Sequence, residues 1–171
     1  MFTKTDIEKY FTVEKSESLL FVIIGIAAIV LAVIFFFFLK TNFYKGIAVP
    51  FLLIGLIQLT VGFVVYKRCD DDRKRNVYAY DSNPSQLKNK EIPRMEKVNK
   101  NFVLYRWIEI VLILAGLVLI FLYRSNTERS FWYWLGIGLA IQAAIMLGAD
   151  YFAEARAMVY TKGLQEFTVD K

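Results

Sequence analysis

Four ionisable residues stand at one depth beside two apolar runs. Arg106 and Glu109 lead into the run that ends at Tyr123, and Asp150 and Glu154 follow the run that ends at Ala149. On helices, Arg106 and Glu109 share a face because they are three apart, and Asp150 and Glu154 share one because they are four apart. The two acids repel each other unless a cation lies between them, and Arg106 or Arg156 can supply it. Three chemistries stay open for this group. It can be an ion network tying two helices together, a carboxylate metal site from Glu109, Asp150 and Glu154, or a binding site for a basic partner or headgroup. The first is expected, with no metal and no cofactor. The carboxylate di-iron pattern needs Glu-x-x-His, and the chain has no histidine.

That zero excludes more. A histidine-based triad, bis-histidine haem ligation and ordinary histidine-ligated zinc are all ruled out. Cys69 is the single cysteine, so neither an internal disulfide nor a CxxC redox pair can form. No catalytic residue is expected, and the chain reads as non-enzymatic. Cys69 lies among Lys67, Arg68 and the triplet Asp70, Asp71, Asp72. It is expected to be a plain thiol at the membrane edge, with reversible lipidation as the alternative. The acidic triplet is expected to be a solvated, self-compensating charge run.

Two amides, Gln58 and Gln142, fall in the middle of apolar runs. A mid-membrane amide must find a partner. Either they bond each other or the backbone and fix helix register, or they line a permeation path. No Asp, Glu, Lys or Arg lies deep in any run, which argues against an ion-coupled transporter. Gly136, Ala140, Ala144 and Gly148 recur every four residues and form a small-residue ridge. Such ridges let helices approach closely in lipid. The ridge is expected to pack within the bundle, with a homo-oligomeric or partner-facing seam as the alternative. Gly138, Gln142 and Ala149 mark another face of the same helix.

These side chains need long helices to hold them. The chain has 171 residues, 57% apolar and 22% charged. That is greasier than a soluble domain, and the excess is gathered into four runs. The spans are read as residues 19–39, 46–66, 104–123 and 131–149. A 21-residue run is about 31 Å of helix, enough for the hydrocarbon core. The acidic stretch 1–18 argues against a cleaved signal peptide. The fold expected is all-α, an integral membrane four-helix bundle of two helical hairpins, 19–66 and 102–149. Residues 67–101 form a linker and 150–171 a helical tail.

Both termini and the linker share one side, which carries 17 of the 21 Lys and Arg. The positive-inside rule places them in the cytoplasm, N-in and C-in. The basic pI of 9.2 then reflects topology and affinity for anionic headgroups, with no nucleic-acid partner expected. In the linker, Asn83, Pro84 and Gln86 read as a cap, a first helical position and a capping-box position. Ile92, Met95, Val98, Phe102 and Tyr105 form an apolar stripe. One continuous helix is expected from about 93 to 123, projecting from the membrane or bending along it. The last helix should run past Asp150 to about Thr161, stopped by Gly163.

The two hairpins share features: Glu17 with Gly25 and Glu109 with Gly116, then Ile57-Gln58 and Ile141-Gln142. That pattern is compatible with a duplicated two-helix unit. The stretch RMEKVNKNFVLYRWIEIVLILAGL, with DYFAEARAMVY further on, resembles segments of uncharacterised bacterial four-span membrane proteins over residues 91–160. The resemblance implies a bacterial inner (plasma) membrane location and no active residue. Size and span count also resemble membrane immunity proteins that guard against pore-forming toxins. The function expected is partner binding, with an immunity or regulatory subunit against a membrane-acting toxin as its concrete form. The alternative is an oligomeric channel or small transporter lined by Gln58 and Gln142.

Overall fold

The structure, a computed structural model, describes residues 2–169. Those residues form long helices and no strand. Helix α1 spans Lys4–Ile34 and is prolonged by a π-helical turn, Phe35–Leu39. Its start is fixed locally, because the Asp6 carboxylate accepts from both the Thr3 backbone N–H (2.8 Å) and its hydroxyl (2.7 Å). These bonds hold the Asp6 carboxyl below its ordinary pKa. Lys40, with φ of 53°, reverses the chain. Helix α2 spans Asn42–Ser82. After Asn83 come the single turn α3, Pro84–Gln86, and a π-helical turn, Leu87–Glu91. Helix α4, Ile92–Tyr123, continues from them. Asn126 accepts the Arg129 backbone N–H at 3.1 Å in the next turn, and α5 spans Ser130–Val169.

Four helices are long and apolar enough to cross a membrane. Each has an apolar half, and each continues as a polar half at the same end of the molecule. The third and fourth helices are extended beyond their apolar runs as expected, and the first and second are extended too. Residues 4–18 and 67–82 are helical too. Hydropathy hides the second of these segments, because the buried face of α2 there is Cys69, Asp72, Asn76 and Ala79. The polar halves close around one core, with Ile7, Phe11, Leu87, Met95, Tyr160 and Leu164 at its centre. Tyr10 stacks on Tyr160 with ring centroids 4.0 Å apart.

Two local expectations fail. Asn83 stands at the cap position with Pro84 first, but its side chain makes no cap bond and instead accepts from the Ser85 hydroxyl at 2.6 Å. Gly163 does not end α5, which runs on to Val169. The missing side chain at Gly163 makes room for the Phe2 ring, which any Cβ there would strike.

In the apolar halves, α1 packs along α2, α4 along α5, and α2 along α5. Two glycine crossings set the hairpins. A Cβ on Gly25 would lie 2.8 Å from the Gly55 carbonyl oxygen, and one on Gly116 would lie 2.7 Å from that of Gly136. Backbones this close gain dispersion that lipid tails cannot offer. Among the described residues, the polar and ring contacts joining α1 to α4 lie in the polar half. Tyr10 Oη donates to Met95 Sδ at 3.7 Å, and the Arg94 guanidinium lies over the Phe11 ring.

Candidate functional site

The small-residue ridge of α5 splits in two. Gly136 and Ala140 lie against Gly116 of α4, the packing role expected of them. Ala144 and Gly148 are exposed, and nothing stands within 4 Å of where a Gly148 Cβ would be. On the other face of α5, Gly138 abuts Pro50 of α2, and Gln142 Nε2 donates to Gln58 Oε1 at 2.9 Å. Both amides are fully buried between α2 and α5, and Gln58 Nε2 has no protein acceptor. The two amides bond each other across the contact of α2 with α5.

At the boundary between the halves the four sequence-selected charges do come together, but not as one ion network. Arg106 pairs with Glu154 at 3.2 Å, joining α4 to α5. Arg156 turns away to Glu17, joining α5 to α1. Arg106 therefore does not serve Glu109. Glu109 is 2% exposed, no cation or amide donates to either carboxyl oxygen, and the side chain it meets is the Asp150 carboxyl. The charge bearing on it is that of Asp150. Two carboxyl groups thus share a buried boundary without a cation of their own, a costly arrangement if both are ionised. Among the described residues no three acidic or thiol groups are placed to hold a metal ion.

A second constellation lies in the polar half, where sequence reading placed none. Glu91, from the π-helical turn, accepts two bonds from Arg94, at 2.9 and 2.6 Å. Arg75 lies 2.7 Å from Asp72 and 3.9 Å from Glu91. Arg68 reaches Glu14 at 3.5 Å and Asp72 at 3.9 Å. Three carboxylates and three guanidiniums, drawn from α1, α2, the turn and α4, form one chain. Burial opposes the Arg94 charge, but its bonds to Glu91 outweigh that and raise its pKa. Burial also pushes the Tyr10 and Tyr160 phenols up. The sequence signals were the spacings Glu91–Arg94 and Arg68–Asp72–Arg75, three and four apart.

The acidic triplet is therefore not uniformly solvated. Asp71 is exposed, Asp70 bonds Lys15, and Asp72 is buried in the arginine chain. The Lys15 bond holds the Asp70 carboxyl below its ordinary range. Cys69 is buried, with Sγ 3.4 Å from Glu14 Oε2. Burial, then the Glu14 charge, pushes its thiol up to about 12. A closed-in, protonated thiol suits packing and not acyl transfer.

This geometry is that of a helical scaffold held by glycine crossings, an amide pair and a buried arginine–carboxylate chain. No known protein family, curated protein or solved structure matches the chain.

Proposed function

We propose that the chain is a non-enzymatic integral membrane protein of the bacterial inner membrane, N-in and C-in, that binds a protein partner within the bilayer. An immunity or regulatory subunit against a membrane-acting toxin is its most concrete form. One observation carries the reading. The apolar halves form a row that is open between its ends, α1 and α4, whereas the polar halves close into a tight core. Only 11% of the spanning window of α4 is buried. Ile108, Val111, Leu114, Val118 and Phe121 leave it apolar and bare. A transmembrane helix of a partner can complete the ring there without disturbing the scaffold. The polar halves supply the rigidity, because a preformed site loses less entropy on binding.

The alternative path through Gln58 and Gln142 draws no support from amides that bond each other. The test is co-expression with a pore-forming toxin encoded beside this chain. Rescue of membrane potential, lost when Leu114→Arg and Val118→Arg are placed on α4, is the expected outcome. No rescue from any neighbouring toxin sinks the immunity form. Dye or ion flux from vesicles holding this chain alone would favour the channel.

A further inference from the structure

The exposed half of the small-residue ridge opens onto the boundary charges. Between α4 and α5 lies a slot of about 570 Å³. Its apolar part is formed by Ala144, Gly148, Ile110 and Leu147, and its polar end by Arg106, Asp150 and Glu154. Asp150 meets the buried Glu109 carboxyl, to which no cation or amide donates. Nearby Arg106 already holds Glu154, and Arg156 holds Glu17. Among the described residues no ion pair reaches Glu109 or Asp150. At one end of the slot Asp150 and Glu109 therefore have no cation of their own, while the other end is a bare apolar trough one helical turn long.

We propose that this slot binds a phospholipid with a primary-ammonium headgroup. One acyl chain lies on Ala144 and Gly148, the ammonium bonds Asp150 with Glu109 behind it, and the phosphate faces Arg106. A primary ammonium brings three donors and no acceptor, so it can serve two neighbouring carboxyl groups that no cation of the described residues pairs. The slot stands where the uncharged run of α5 ends, so apolar chain and charged head meet it at the right depth. A second copy of the chain fits worse. Two-fold pairing in a membrane sets equal depths face to face, which brings Asp150 against Asp150.

The test uses the full chain in detergent with equal amounts of ethanolamine, choline and glycerol phospholipids of identical acyl chains. Bound lipid is counted by native mass spectrometry. Retention of the ethanolamine lipid should exceed that of the glycerol lipid by about tenfold, the scale of a charge-assisted hydrogen bond. Asp150→Asn should remove that preference. Gly148→Leu should lower retention of every lipid, and its side chain enters open space, so an unchanged melting temperature certifies the fold. Equal retention of ethanolamine and choline lipids overturns the ammonium assignment. A preference that survives Asp150→Asn overturns the site. If Gly148→Leu instead converts a two-copy particle into a single copy, the slot is a self-association seam and the proposal fails.

Discussion

Gln142 Nε2 donates to Gln58 Oε1 at 2.9 Å across the contact of α2 with α5. This bond joins the second helix of one hairpin to the second helix of the other. Each of those helices also crosses the first helix of its own hairpin through glycine, Gly25 on Gly55 and Gly116 on Gly136. Each hairpin thus combines a glycine crossing with one of the paired amides. The match is imperfect in register. The amide follows the crossing glycine by three residues in α2 and by six in α5.

The amide bond should be measurable. Gln142→Leu leaves the Gln58 carbonyl oxygen without its donor inside a dry contact. A double-mutant cycle with Gln58→Leu should give a coupling of about 0.6–1.7 kcal/mol, the range for polar pairs between membrane helices. Thermal unfolding of the four proteins in one detergent reads it. Zero coupling would mean that the helices hold register by shape alone.

Gly25 and Gly116 should tolerate substitution far less well than Gly148. A Cβ on either of the first two meets backbone atoms of the facing helix below 3 Å, and backbone cannot swing aside. Gly25→Ala and Gly116→Ala should each cost about 1–3 kcal/mol by overpacking. Gly148→Ala enters open space and should stay within about 0.5 kcal/mol of the parent. Melting temperatures of the three variants decide it, and equal values would remove the glycine crossings as determinants of the hairpins.

The spans were legible because hydropathy is additive along a chain. So were the paired amides, since a buried amide must be answered by another polar group. What stayed hidden was the polar half of α2. Asp72 and Asn76 occupy its inward face and look like surface residues by type. Asp72 is answered there by Arg75 and Arg68, and Asn76 donates to the Asp72 carbonyl oxygen. The boundary group was found by its spacing, yet its pairing was not. Arg106 and Glu109 share a face by count, but packing turns Arg106 to Glu154. Single-chain spacing records who could meet, and tertiary geometry chooses among the options.

Cys69 should resist thiol reagents in the folded protein near neutral pH. It is buried, and its pKa is raised from 9.0 to about 12 by burial and the Glu14 charge. Maleimide should label it only after unfolding. The linkage has a definite sign, because the fold retains a proton that the unfolded chain releases above pH 9.0. Its contribution is full below that pH and is lost as pH rises toward about 12. Parent and Cys69→Ala unfolding curves should converge over that window, once the offset below pH 9 is noted. Rapid labelling of native protein at neutral pH would contradict the burial.

The arginine–carboxylate chain should behave as one unit, and Glu91 is its most exposed weakness in energetic terms because it is the most deeply buried acid there, at 2%. Glu91→Leu strands Arg94, which is itself largely enclosed and cannot shed its proton. Removing one partner of a buried pair costs roughly 3–5 kcal/mol, whereas replacing both by apolar groups is often near neutral. Glu91→Leu alone should therefore melt the polar half well before the double variant Glu91→Leu with Arg94→Met. The apolar halves should keep their helicity in both, since their glycine crossings lie elsewhere. Circular dichroism together with hydrogen exchange at α3 and the start of α4 separates local from global loss. Equal destabilisation by the single and double variants would mean that the ion chain acts through packing and not through charge.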